Sequence, residues 1–161
     1  MKTRIAASLL AAGALASAGT ALAAPPQVRE VGVGVALGEP IGGSAKLWFD
    51  GPWAADLGAG LSDGNAALWA DALYHDWTLL PQPSNGKLAA YAGGGPQLRM
   101  GDDARFGIRT VVGVSYRPTG HDLELYAEAG PMFRMTQGGK VDGVGGVGLR
   151  LMLGGVSKKS R

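Results

Sequence analysis

The chain has 161 residues, with 15 Lys and Arg against 13 Asp and Glu, and it contains no cysteine. The lack of cysteine excludes a disulfide framework, and the near balance of charge gives no electrostatic support to a nucleic-acid partner. Glycine occurs 28 times, well above its usual share of about 7%, and the spacing of an amphipathic helix is scarce.

The first 23 residues have the pattern of a cleavable secretory signal. Lys2 and Arg4 precede an alanine-rich apolar run that ends in Ala21-Leu22-Ala23, with small residues where signal peptidase inspects the chain. An uncleaved membrane helix is the alternative, although the run is weakly apolar for an anchor. The signal contains two of the bases and none of the acids, so the mature chain carries 13 of each.

Eight segments of alternating apolar and polar residues follow the signal, separated by turn sequences. Asp50-Gly51 is a dipeptide typical of hairpins, and residues 81–86 form the longest connection. The predicted strands span residues 30–38, 41–50, 53–61, 68–77, 87–95, 105–117, 122–135 and 140–153.

Sequential strands with short links predict an all-β fold, an eight-stranded antiparallel up-and-down transmembrane β-barrel. Eight is the smallest strand number common in outer-membrane barrels, and closure removes the exposed edges of the sheet. After the signal, no uninterrupted apolar segment reaches the roughly 18 residues of a membrane helix. We therefore predict a signal peptide over residues 1–23, a β-barrel over 24–153 and a polar C-terminal tail over 154–161.

The two faces of each predicted strand differ in charge. One parity is apolar or small and uncharged at 39 positions, as in Leu123, Leu125, Ala127 and Ala129. In a membrane barrel this parity meets lipid and the charged parity lines the lumen; the reverse arrangement, a soluble lipocalin-like barrel, stays open. The charged parity holds Glu30, Asp50, Asp56, Asp71, Glu124, Glu128, Asp142, Lys46, Lys87, Arg105, Arg109, Arg117, Arg134 and Arg150.

The charged residues at the middle of this parity are the candidate site. An eight-stranded interior is just wide enough for side chains to fill, and an unpaired buried charge is costly, so the charges are expected to pair. We predict that Glu124 and Glu128 find partners among Lys46, Arg109 and Arg150; a narrow polar conduit is the alternative. The predicted lumen charge network comprises Lys46, Asp56, Asp71, Arg109, Glu124, Glu128 and Arg150.

Aromatic residues and prolines mark the expected limits of the membrane. If both termini are periplasmic, five aromatic residues fall near the periplasmic rim, where membrane barrels carry an aromatic girdle. Pro96 and Pro131 each follow nine residues of a predicted strand, and because proline cannot donate to a β-ladder, we predict both at the outer rim. The predicted interface aromatics are Phe49, Trp53, Tyr74, Trp77 and Tyr116.

The remaining motifs indicate no chemistry. Residues 143–148 read GVGGVG, but only 13 residues follow, too few for the βαβ unit that a dinucleotide site requires. His75 and His121 each precede an aspartate, yet neither lies at the outer end, where a lipid-modifying enzyme would need its base. We interpret both as structural or rim residues and predict no catalytic, cofactor-binding or metal site.

Residues 32–48 read GVGVALGEPIGGSAKLW. This stretch resembles the opening hairpin of a family of small, mostly uncharacterised outer-membrane β-barrel proteins, and weaker similarity continues through residues 71–75, 91–96, 106–109 and 128–131. The resemblance implies an eight-stranded barrel similar in architecture to outer membrane proteins A and X, with no established reaction. Such barrels often end on an aromatic residue, whereas here the last strand ends on leucine and eight residues follow. The matching positions are Gly32, Gly34, Leu37, Gly38, Pro40, Gly42, Ser44, Lys46 and Trp48.

The sequence therefore predicts a non-enzymatic protein of the cell outer membrane, with a structural or surface-interacting role and a lumen plugged by charged side chains. Its expected partners are outer-membrane lipids and, during biogenesis, the outer-membrane assembly machinery; no cofactor is expected. One alternative is a periplasmic lipocalin-like ligand-binding barrel. The other is an outer-membrane lipid-modifying enzyme or a narrow channel.

Overall fold

The computed structural model of the protein describes residues 30–49, 51–101, 104–136 and 138–153. The predicted signal peptide and the predicted C-terminal tail lie outside these residues. Eight strands are present: β1 (Val31–Glu39), β2 (Ile41–Trp48), β3 (Trp53–Ser62), β4 (Asn65–Asp76), β5 (Gly86–Arg99), β6 (Arg105–Pro118), β7 (Leu123–Arg134) and β8 (Val141–Leu153).

The strands form one closed barrel. Each strand pairs antiparallel with the next along the chain, and β8 pairs with β1 from Val31↔Leu153 to Glu39↔Gly145. The predicted all-β, eight-stranded up-and-down barrel is confirmed. Within the described ranges, no helix has the length and apolar character needed to cross a membrane.

The barrel has two ends, which we name by the chain termini. At the terminal end, β1 begins, β8 ends, and the connections are residues 49–52, 77–85 and 119–122. At the far end, the connections are residue 40 and residues 63–64, 100–104 and 135–140.

The connection between β3 and β4 shows why the far-end turns are short. Ser62 pairs with Asn65, so only two residues form the turn. Asp63 has φ 47° and Gly64 has φ 76°, and positive φ at both central residues is what a type I′ hairpin turn requires. The Asp-Gly dipeptide supplies that geometry, and β4 consequently starts three residues before its predicted beginning.

The prediction that the fifth strand ends at Gly95 is wrong, whereas Pro131 lies within the seventh strand, inside its predicted span of 122–135. β5 continues to Arg99 and β7 to Arg134. Each proline interrupts one ladder for two residues, towards β4 and β6 respectively, and pairing resumes beyond it in the same register. The ladder on the opposite side runs through, so each strand loses pairing to one neighbour only.

The orientation of the side chains follows the parity read from the sequence. Every residue of the uncharged parity in the described strands is exposed or half-buried, with Leu57 at 56% and Val112 at 64% exposure. Every charged residue of the other parity in the described strands is buried or half-buried, and Lys46 and Glu124 are fully enclosed. The outer surface of the barrel is therefore apolar and its interior is charged.

Glycines inside the barrel face large aromatic rings across a strand pair. The register places Gly58 opposite Trp69, and the same relation holds for Gly113 with Tyr91 and Gly148 with Tyr126. A Cβ atom on any of these three glycines would overlap the ring opposite it. Because each ring lies over a bare backbone, a narrow lumen accommodates both the aromatic rings and the long charged side chains.

Replacing Gly58 with alanine is expected to lower the free energy of unfolding by about 1 to 3 kcal/mol, since the new methyl group would displace the Trp69 ring. Gly43→Ala is the matched control, because the nearest atom to its Cβ would be 3.8 Å away, on the outer face. Urea unfolding in detergent micelles measures both variants. Equal stability of the two variants would contradict the packing of Trp69 against Gly58.

Candidate functional site

The first ion-pair group occupies the lumen between β2, β3, β7 and β8. Lys46 Nζ donates to Glu124 Oε1 at 2.7 Å, and Arg150 lies 3.3 Å from the other oxygen of Glu124. Arg150 also donates to Asp56 at 2.5 Å and to the Ser44 hydroxyl at 3.0 Å. These five residues are all buried, so Arg150 links the carboxylates of two strands inside the barrel.

The second ion-pair group is centred on Arg109, on β6. Its guanidinium is 2.6 Å from Glu128 and 3.1 Å from Asp71. The Tyr91 hydroxyl donates to Glu128 at 2.8 Å, and Arg109 lies over the Trp69 ring at 5.8 Å. Asp71 makes an ion pair, but neither of its buried carboxylate oxygens has a hydrogen-bond partner among the described residues.

All seven residues predicted to form the lumen network therefore point into the barrel. They divide into two groups instead of one, and their three cations face four carboxylates. In the structure, Glu124 pairs with Lys46 and Arg150, and Glu128 pairs with Arg109. All three cations are among the predicted partners.

Polar and aromatic groups around Lys46 complete the first group. His75 Nε2 lies 2.9 Å from Lys46 Nζ, and the ammonium also lies 4.5 Å from the Trp48 ring centre and 5.4 Å from that of Tyr91. Arg150 stacks over the Tyr126 ring at 3.8 Å. The sequence analysis did not assign these aromatic residues to the site. Trp48 has the same parity as Lys46, and this parity was sufficient to place Trp48 inside the barrel.

The terminal end of the lumen is closed by an apolar cluster and an ion pair. Glu30 accepts two hydrogen bonds from the Arg117 guanidinium, at 2.6 and 2.8 Å. Inside this pair lies a buried cluster of Trp48, Ala54, Trp77, Ala89 and Met152.

The far end is polar and more open. Arg99 and Arg105 both pair with Asp63, and Arg134 pairs with Asp142. A cavity of about 150 Å³ is bordered by Asp63, Arg99, Arg105 and Asp142. A second buried apolar cluster inside the barrel is formed by Leu73, Tyr91, Val111, Met132 and Val144.

The five aromatic residues predicted at the membrane interface differ in exposure. Phe49, Trp53 and Tyr74 are exposed on the outer face, with the rings of Trp53 and Tyr74 edge to face at 5.2 Å. Tyr116 is half-buried and its hydroxyl donates to Asn85. The prediction for Trp77 is wrong.

Trp77 is 7% exposed and lies inside the terminal end, near His75 and Trp48. Its position has the same parity as Asp71 and His75, so the alternation itself directs it inward. Two aromatic residues that the sequence reasoning did not assign, Phe106 and Phe133, are exposed on the outer face near the far end.

The other motifs occupy ordinary positions in the fold. Residues 143–148 lie within β8, as a glycine-rich strand. His121 is exposed in the connection between β6 and β7, far along the chain from the buried His75. In the part of the chain that the structure describes, no group of three or more His, Cys, Asp or Glu residues could hold a metal ion.

Comparison with other proteins adds no relative. No family model, no curated protein and no solved structure matches the chain. The resemblance carried by residues 32–48 therefore rests on those residues alone. The structure itself shows a closed, eight-stranded antiparallel β-barrel.

Proposed function

We propose that the protein is an outer-membrane β-barrel with a structural or surface-interacting role, exported by a cleaved signal peptide, and that the two ion-pair groups plug its lumen. The observation that carries this proposal is the orientation of the strands. Large apolar side chains cover the outer face of every strand, and the buried charges lie inside.

The outer face suits hydrocarbon better than water. Exposed apolar side chains occur on all eight strands, among them Val35, Leu57, Val112 and Leu151. A soluble monomer rarely exposes a continuous apolar surface of this kind. In a bilayer, the same surface needs no hydration, and a closed barrel satisfies its backbone hydrogen bonds internally.

The dimensions of the barrel also support a membrane location. Its strands have 8 to 14 residues, and crossing the bilayer takes about 9 to 11 tilted residues. Trp53 and Tyr74 lie on the outer face near the terminal end, and Phe106 and Phe133 lie near the far end. Aromatic residues at both rims are typical of membrane barrels.

A periplasmic ligand carrier would need an apolar interior with room for its ligand. The cavity beside Asp56, Arg109 and Glu128 measures about 10 Å³, enough for roughly one water molecule, and the far-end cavity measures about 150 Å³. Ligand pockets are typically larger, about 300 to 1,000 Å³. The interior of this barrel is charged and filled by side chains. These features favour the membrane barrel over the carrier.

The proposed role is also non-enzymatic. A lipid-modifying enzyme of the outer leaflet would need its base and its nucleophile together at the far end. His75 and His121 lie at the terminal end, and the far end of the described barrel presents arginines and carboxylates paired with each other.

Expression of the mature chain, residues 24–161, tests the membrane assignment. Without detergent we expect aggregation, because the outer face would be exposed to water. Refolded into detergent micelles, the same chain should migrate faster in gel electrophoresis before heating than after it, as a compact barrel does. A monodisperse, soluble chain in plain buffer would contradict the proposal and favour the ligand carrier.

A further inference from the structure

His75 is buried in the lumen in contact with an ammonium group. Its Nε2 is 2.9 Å from Lys46 Nζ, and its Nδ1 is 3.3 Å from the carbonyl oxygen of Pro52. A carbonyl oxygen only accepts hydrogen bonds, so Nδ1 carries the ring hydrogen. The lone pair of Nε2 then accepts from the Lys46 ammonium, and this contact exists only while the imidazole is neutral.

The same imidazole is the centre of the aromatic packing at the terminal end. Its ring centre lies 4.3 Å from that of Trp48, 4.9 Å from that of Tyr91 and 6.3 Å from that of Trp77. Trp48 and Trp77 belong to the apolar cluster that closes this end of the lumen. A displacement of His75 would therefore disturb the packing of Trp48 and Trp77 that closes the terminal end.

The charges around His75 come from several strands. Lys46 on β2 contacts the ring, Glu124 on β7 contacts Lys46, and Arg150 on β8 contacts Glu124. Asp56 on β3 is engaged by Arg150. From β5 the uncharged Tyr91 ring stacks on His75 at 4.9 Å, and elsewhere at the terminal end Glu30 pairs with Arg117.

Protonation of His75 would therefore add a positive charge that no nearby carboxylate is free to pair with. A protonated His75 and Lys46 would hold two positive charges 2.9 Å apart, and repulsion at that distance is large in a low-dielectric interior. The nearest carboxylate, Glu124, already contacts both Lys46 and Arg150. One of the two cationic groups has to move away from the other.

We propose that His75 is an acid-operated latch of the lumen: protonation of its Nε2 breaks the contact with Lys46 and loosens the aromatic closure of the terminal end. The latch is a property of the barrel interior and does not depend on the membrane in which the barrel resides. Among the described residues of the lumen, His75 is the only histidine.

Tryptophan fluorescence of the refolded protein, followed from neutral to acid pH, tests this proposal. We expect a reversible red shift with loss of intensity, because Trp48 and Trp77 contact His75 and become more hydrated when it moves. His75→Gln should lose the transition, since glutamine can accept from Lys46 and donate to Pro52 without titrating. His121→Gln, at the exposed histidine, should retain it.

Retention of the transition in His75→Gln, or its absence from the wild-type protein, would overturn the proposal. Lys46→Met provides a further check, because removing the ammonium should move the transition to higher pH; an unchanged midpoint would count against the latch. Nitrogen-15 spectra of the wild-type imidazole need no variant. They should show the neutral Nδ1–H tautomer at neutral pH, and a charged ring or the Nε2–H tautomer would also overturn the proposal.

Discussion

Arg150→Met is expected to destabilise the folded barrel by about 3 to 5 kcal/mol, because it removes one partner from buried ion pairs. Arg150 contacts Asp56, Glu124 and Ser44 in the lumen and is 1% exposed. Methionine has a similar length but leaves the Asp56 carboxylate buried without a cation in contact. Urea unfolding of the refolded protein in detergent micelles measures the loss.

Asp71→Asn is the matched control for that experiment. Asp71 is as deeply buried as Asp56, yet neither of its oxygens has a hydrogen-bond partner in the described structure, and Arg109 keeps Glu128 when Asp71 is neutralised. We expect a change below about 1.5 kcal/mol, the size of one net hydrogen bond. Equal losses in the two variants would mean that Arg150 does not organise the lumen as its contacts indicate.

Val112→Arg is expected to destabilise the barrel in a lipid bilayer by about 2 to 4 kcal/mol, the penalty for a cation on the lipid face at mid-depth. Val112 lies in the middle of β6, is 64% exposed and pairs with Ala92 and Ala129 on the neighbouring strands. The measurements are the yield of folded protein in lipid vesicles and its unfolding by urea.

Thr119→Arg supplies the control, because Thr119 is exposed in the connection between β6 and β7 at the terminal end. This substitution adds the same charge outside the apolar outer face of the strands, and the variant should fold with the wild-type yield. If Val112→Arg folds as well as Thr119→Arg, the outer face meets water, and the membrane assignment fails. The comparison therefore tests the orientation of the barrel independently of its interior.

Alternation along the strands accounts for most of what sequence reasoning predicted. Side chains two residues apart share a face of a strand, so a charge at Glu124 and another at Glu128 must lie on the same side. The turn residues between the segments divided the chain into eight predicted strands, and the structure contains all eight. Both properties are local, and a single sequence carries them in full.

The two incorrect predictions have different causes. The fifth strand was expected to end at Gly95, before Pro96, but in a closed barrel each strand has a neighbour on both sides, and the intact ladder to β6 carries β5 onward. Trp77 was assigned to the outer rim by its residue type, although its parity places it inside the barrel.

By itself, the sequence determined the strand number, the two unlike faces and the set of charges that would meet inside, because alternation and turn residues act within a few positions of the chain. Only the tertiary structure decided which charges pair. Lys46 and Glu124 are separated by 78 residues, and Arg150 and Asp56 by 94. Closure of β8 on β1 and the register of each ladder bring these distant residues into contact, and no local pattern in the sequence records either the closure or the register.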